Sequence, residues 1–305
     1  MTHRANINDR HGLSRVGVCV TLFSLAVLTA IVIPVVQCAR ESARRNGCAN
    51  NLKSLGLTLV SYESAHGTYP KGCVGNAELT PSERWSWYLS IGNYWGHYGF
   101  PIIDYDRPWN DPALRPLQLH TWRNGPDVVK EFDVPLFPIP VVKCPNGTPE
   151  IHDDGQPYTD YVGTTGIGPR AALLSRADAR AGVWAYDECR SVDDIKDGAS
   201  TTLIAIETSA NNGCWIADGK PTLREYDPAR GAIGRGKQFG GLHYGGSMAV
   251  FVDGSVDFLS QSVSPDVMSS AMTIAETEVN LEQTPSVRQS PDNNAMDPSR
   301  ISGRF

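Results

Sequence analysis

The stretch Val16–Ala39, VGVCVTLFSLAVLTAIVIPVVQCA, contains 24 consecutive uncharged residues. About 20 apolar helical residues cross a hydrocarbon core of about 30 Å, so this run is long enough to span a membrane. Arg15 closes one end, and Arg40, Arg44 and Arg45 close the other. Pro34 falls near the far end, where its missing N–H is tolerated. A cleaved secretory signal has an apolar region of about 7–15 residues and a small-residue cleavage site, and this run fits neither. A lipoprotein signal would place a small residue before Cys38, where Gln37 stands. The run is therefore expected to be an uncleaved single-span anchor over residues 16–39. Basic residues flank both ends, so charge counting does not orient it.

Working outward, residues 1–15 form a short leader and residues 40–66 a stalk. Leu52, Leu55, Leu59 and Tyr62 recur at helical spacing, while Lys53, Ser54, Ser61 and Glu63 fall elsewhere on the wheel. The pattern predicts one helix running from the anchor to about His66, ended by Gly67 and Pro70. Its apolar stripe needs a partner surface. Charge divides at the same place. The 305 residues carry 27 basic and 33 acidic side chains, a net charge of −6. Residues 1–60 hold seven basic and two acidic groups, so the N-terminal end is +5 and the rest −11. An acidic body excludes a nucleic-acid partner, because neutralising phosphates requires a Lys/Arg surplus.

Residues 67–278 are expected to form one α+β body: an antiparallel sheet with irregular insertions, packed on the long helix. Strands are predicted at 158–166, 182–186, 201–207, 247–252 and 255–260. Asp253-Gly254 reads as a two-residue hairpin turn, which would set Phe251 opposite Val256 and Ala249 opposite Phe258. Ser264, Pro265 and Asp266 read as the cap and first turn of a helix to about Glu278. Residues 279–305, within a segment rich in Pro, Ser, Asn and Asp, read as a disordered tail. Trp85, Trp87, Trp95, Trp109 and Trp122 lie in a proline-rich stretch between Cys73 and Lys143. The first four are candidates for an exposed binding platform, against the simpler reading that the rings pack onto the sheet.

Candidate chemistry is sparse. His243, Asp253 and Ser255 hold the residue types of a hydrolase triad but lack a nucleophile-elbow context, and Asp253 is needed for the turn. No enzymatic reaction is expected, and His243 is expected to fix the Gly240–Gly246 loop. Asp193, Asp194, Asp197 and Gly198 depart from EF-hand spacing, so they read first as a turn. A structural Ca²⁺ is the only cofactor they would suggest. Asp153-Asp154-Gly155 is a second turn, and Asn146-Gly147-Thr148 matches a glycosylation sequon. Cys19 and Cys38 belong to the anchor, Cys48 to the stalk, and Cys73, Cys144, Cys189 and Cys214 to the body. Those last four allow three disulfide connectivities, and spacing does not choose among them. No C-x-x-C pair and no phosphate-binding glycine loop occurs.

The run IPVVQCARESARRNGCANNLKSLGLTLVSYESAHGTYPKG resembles the start of a bacterial family of pseudopilin-like (type IV pilin-like) proteins. That family is catalogued as domain of unknown function 1559 and is also labelled solute-binding-like. Trp85-Ser86-Trp87, Lys143-Cys144-Pro145, Tyr161–Gly166, Asp194–Leu203 and Phe239–His243 resemble its later elements in order. His243, Asp253, Gly254 and Ser255 fall in its C-terminal signature. The resemblance implies Gly12 as a processing site, an N-terminus in the cytoplasm and the body outside the inner (cytoplasmic) membrane. Gly17 stands where such chains usually carry a Glu used in filament assembly. The expected function is that of a membrane-anchored envelope protein acting through contacts with other pilin-like proteins or itself, through residues 16–66, in a secretion- or pilus-like assembly. The alternative is a membrane-tethered solute- or glycan-binding module built on the Trp-rich insertion.

Overall fold

The computed structural model describes residues 15–95, 103–113, 139–147 and 155–275, together with two short strands noted below. Gly12, Trp122, Thr148, the Asp153-Asp154 pair and the 279–305 tail lie outside these residues. The chain forms two compact units, divided between Ala43 and Arg44.

Helix α1 spans Arg15–His66, 52 residues, with Pro34 inside it. At 1.5 Å per residue it is about 78 Å long. Its first part is apolar on every side and exposed along its length: Val16 is 70% exposed, Phe23 72% and Val35 62%. The Thr21 hydroxyl donates to Gly17 O (2.7 Å) and that of Thr29 to Leu25 O (3.0 Å). These two hydroxyls are thus satisfied on the helix's own backbone. The second part is amphipathic, with Cys48, Leu52, Leu55 and Leu59 buried. Gly67, at φ +73°, ends the helix by donating its N–H to Glu63 O (2.7 Å).

The body holds short strands β1 (Cys73–Val74) and β2 (Trp85–Ser86), a one-and-a-half-turn helix α2 (Trp87–Ile91), and a parallel pair β3 (Arg115–Pro116) and β4 (Asp133–Val134). The main sheet contains β5 (Tyr161–Ile167), β6 (Leu203–Glu207), β7 (Leu223–Tyr226), β8 (Gly246–Phe251) and β9 (Val256–Ser260), in the order β7-β5-β6-β8-β9. Helix α3 (Pro265–Met272) follows, with Ser264 Oγ accepting from Val267 N at its start. The α+β expectation holds, with one correction. The sheet is mixed, because edge strand β7 runs parallel to β5.

Three further differences have local causes. Residues 182–186 form no strand; Gly182 and Trp184 donate to Thr165 O and Thr164 O without a regular ladder. Helix α3 stops at Met272 rather than near Glu278, since Ile274 is drawn into the core and exchanges backbone bonds with Ala181 and Lys196. The hairpin closes through a three-residue loop. Gly254 N bonds Phe251 O, Phe251 N bonds Ser255 O, and Gly254 sits at φ +75°. This is a type I turn followed by a left-handed glycine, and it moves the register by one residue. Val250 therefore faces Val256, and Met248 faces Phe258.

That shift sorts the side chains. Met248, Val250 and Val252 join Leu52, Leu55 and Leu59 of α1 in one core. Ala249 and Phe251 join Met268, Ala271 and Met272 of α3 in the other. The sheet thus lies between two helices, and the stalk stripe has its partner. Closest approach occurs at Gly56, where a Cβ would stand 2.7 Å from Val250 Cγ2 and 3.1 Å from Gly254 Cα. Lys53 Nζ donates to Gly254 O (2.8 Å) beside it. Overpacking of this kind costs about 1–3 kcal/mol. Gly56→Leu should lower the urea midpoint of the full-length protein in detergent, whereas Gly17→Leu, where no atom lies within 4 Å, should leave it unchanged.

Candidate functional site

Four buried side chains from distant parts of the chain meet beside the stalk. Cys48 lies on α1. Cys144 follows Pro140–Val142, a single 3₁₀ turn. Glu207 ends β6, and His243 precedes β8. Cys48 and Cys144 form a disulfide that spans a sequence separation of 96. His243 Nε2 lies 3.2 Å from Cys48 Sγ, 3.4 Å from Cys144 Sγ and 3.4 Å from Glu207 Oε1. All four residues are buried, and one ligand atom from each lies within 4.8 Å of the others.

The surroundings fix this cluster. Asn51, one turn along α1 from Cys48, donates to Lys143 O (2.6 Å) and Pro140 O (3.1 Å). Lys143 and Asp160 form a buried ion pair at 3.0 Å, and Asp160 Oδ2 also accepts from Cys144 N (3.0 Å). Asn146 donates to Leu242 O, tying the Cys-Pro loop to the segment that carries His243. Arg45 donates to Tyr244 O and stacks 4.5 Å above the Phe258 ring. Glu207 Oε2 accepts from Met248 N (3.3 Å), while Oε1 faces His243 Nε2 at 3.4 Å. Burial pushes the Glu207 carboxyl above its usual range, against the opposing pull of His243 and Met248 N–H.

The residues named in the sequence fall in different places. The His243 ring faces the sulfurs and Glu207 rather than only bracing its own loop. Asp253 and Ser255 lie at the opposite end of the β8–β9 hairpin, where Asp253 Oδ1 accepts from Ser255 N (2.8 Å). The structure therefore assembles no triad from these three residues. Gly254 serves the turn and the stalk contact. Trp85 and Trp87 are 0% exposed and donate their indole N–H groups to Arg107 O and Thr222 O, so neither offers a ring to solvent. Trp87 packs on Trp184 with centroids 4.4 Å apart. Trp95 and Trp109 are half-buried against the same core. Asp194 caps its own 3₁₀ turn through Ser191 and pairs with Arg176 (3.1 Å), while Asp197 accepts from Thr273 (3.0 Å). Asp194 and Asp197 therefore engage different partners within the turn. Glu207 was missed as a site residue; its only signal was its place at the end of a motif that otherwise forms a strand.

A model of the family described as "Protein of unknown function (DUF1559)" matches residues 37–231. The chain belongs to this family. No curated protein and no solved structure matches it. In this DUF1559 chain the matched region holds Cys48, Cys144 and Glu207, while His243 lies beyond its end.

A second feature is a cavity of about 360 Å³ lined by Tyr62, Lys71, Cys73, Arg84, Asp187 and Cys189, among others. Arg84 pairs with Asp187 at its rim (2.6 Å). Beneath it the Cys73 thiol donates to the buried Asp218 carboxylate. Burial outweighs that bond and the nearby Arg84 charge, pushing Asp218 up to about 8. The Cys73 thiol is pushed up as well, by its own burial and by Asp218.

Reducing Cys48–Cys144 removes a cross-link closing a long loop, worth about 2–5 kcal/mol. Cys48→Ala/Cys144→Ala should lose a similar amount by urea titration and should no longer respond to reductant. For Asp218, the folded carboxyl holds its proton above the unfolded pKa. Its stabilising effect is complete below about pH 4 and declines as pH rises towards about 8. Asp218→Asn should flatten that part of the stability–pH profile, with a maximum slope change of about 1.4 kcal/mol per pH unit.

Proposed function

We propose that this DUF1559 chain is a membrane-anchored, pseudopilin-like envelope protein that acts through protein contacts made by its N-terminal helix. One observation carries the reading: a single unbroken helix is apolar and exposed along residues 16–36, then amphipathic and built into its own body from Cys48 onward. The first half is long and apolar enough to cross a membrane, with a mean hydropathy of 2.7 over its most apolar 18 residues. Helices of this composition associate in lipid through close packing of small residues and internal polar groups. Gly17, Ser24, Ala26 and Ala30 supply such positions.

The stripe Leu52–Leu59 is covered by the chain's own sheet, so contacts through residues 16–66 would use the apolar anchor and the outward face of the stalk, where Leu57 is exposed. Orientation with the N-terminus in the cytoplasm belongs to this same reading. The binding-module alternative loses Trp85 and Trp87 as a platform, because both are buried.

Cys19, exposed on the anchor, is a native reporter. Oxidative crosslinking of native membranes should yield dimers that vanish in Cys19→Ser and persist in Cys73→Ser. Monomers alone, with a cysteine walk over residues 16–30 equally silent, would count against lateral association.

A further inference from the structure

The geometry points to a redox-gated metal site: when the Cys48–Cys144 bond is reduced, the two thiolates, His243 Nε2 and Glu207 Oε1 hold one Zn²⁺ or a cation of similar softness.

A tetrahedral zinc bound at about 2.3 Å to sulfur and about 2.0–2.1 Å to nitrogen or oxygen sets neighbouring donors about 3.3–3.8 Å apart. His243 Nε2 already stands 3.2 and 3.4 Å from the two sulfurs and 3.4 Å from Glu207 Oε1. Three of the six edges of a zinc tetrahedron are therefore present within a few tenths of an ångström. All four donors fall within 4.8 Å of one another. The covalent S–S bond is far shorter than the sulfur–sulfur edge of a zinc site, and cleaving it lets the sulfurs separate.

Glu207 Oε1 is buried, and the polar atom facing it is His243 Nε2, at 3.4 Å, too long for a strong bond. A carboxylate oxygen, an imidazole nitrogen and two sulfurs all face one small buried space. In a stability device alone, a disulfide needs no carboxylate beside it. Two thiolates and one imidazole select a borderline or soft cation over Ca²⁺, which takes six to eight oxygens. Four protein ligands leave no open position, so the site is of the structural or regulatory kind.

The chemistry balances with a dithiol as reductant. Its two sulfurs close to a disulfide and pass two electrons and two protons to Cys48–Cys144, giving two thiols. Zn²⁺ then displaces both thiol protons. Reoxidation by a disulfide reverses the sequence and releases the cation. In both states the stalk helix remains tied to the Cys-Pro loop, by a covalent bond in one and by metal in the other.

The test uses the full-length protein in detergent. After anaerobic reduction with a phosphine and removal of metal by chelator, Co²⁺ is added as a spectroscopic substitute for Zn²⁺. The expected result is about one Co²⁺ per chain with the intense ligand-field and sulfur charge-transfer bands of tetrahedral thiolate coordination, bleached by Zn²⁺ and absent before reduction. Glu207→Gln and His243→Gln are prepared as disulfide-bonded proteins, so circular dichroism can establish folding before reduction. Each should then weaken Co²⁺ binding by at least about tenfold. Cys48→Ala/Cys144→Ala, which keeps the other five cysteines, should show no thiolate bands. Absence of the bands in the reduced wild-type protein overturns the site, whether or not the protein stays folded. So do bands that persist in the double-cysteine variant, or affinity unchanged in both Gln variants.

Discussion

Everything in the body is arranged around the burial of one helix face. Leu52, Leu55 and Leu59 lie on the sheet beside Met248, Val250 and Val252, and the helix backbone comes close enough at Gly56 to touch the hairpin turn. Removing three leucines from water is worth several kcal/mol at about 25 cal/mol per Å². The same contact determines which way the hairpin must close. With Val250 and Val252 turned to the stalk, Ala249 and Phe251 must face α3, and the three-residue loop ending in Gly254 produces that register. Cys48 then places a sulfur at the lower end of this same face, where the Cys-Pro loop and His243 meet it.

Much of this was readable from local pattern. A run of 24 uncharged residues followed by Leu52, Leu55 and Leu59 specifies one helix with an all-apolar half and an amphipathic half, and the structure places it at Arg15–His66. The hairpin was readable as an element but not in its register, because Asp-Gly suits both a two-residue primed turn and the end of a type I turn with a bulge. Strand β7 was hidden for another reason. Its sequence Leu-Arg-Glu-Tyr looks half polar, yet Arg224 is buried, with its guanidinium satisfied by the carbonyls of Lys220, Ala210 and Asn211. A buried arginine of this type is invisible to hydrophobic periodicity.

The candidate site was visible only in pieces. Cys48, Cys144 and His243 each stand out in the sequence, but nothing local joins residues drawn from the stalk, a loop and the approach to β8. Glu207 carries no signal of its own beside the apolar run Leu203–Ile206. Likewise Trp85 and Trp87 advertise aromatic surface in sequence, whereas Trp184 and Tyr88 enclose Trp87 from positions that periodicity does not connect to it. Convergence of this sort is a property of topology. It becomes readable once the strand order β7-β5-β6-β8-β9 is known.

The partnership between Lys53 and Gly254, 201 residues apart, bears on how the chain is made. A ribosome adding about 5–20 residues per second completes the stalk some 10–40 s before the β8–β9 hairpin that will cover it. During that interval Leu52, Leu55 and Leu59 are displayed on a helix tethered at its N-terminal end by an apolar segment. The body can close only after the β8–β9 hairpin has been made, since these strands supply the floor on which the stalk helix rests. A delay of that length leaves the leucine stripe facing water until the hairpin arrives, so the order of synthesis sets when this core can form.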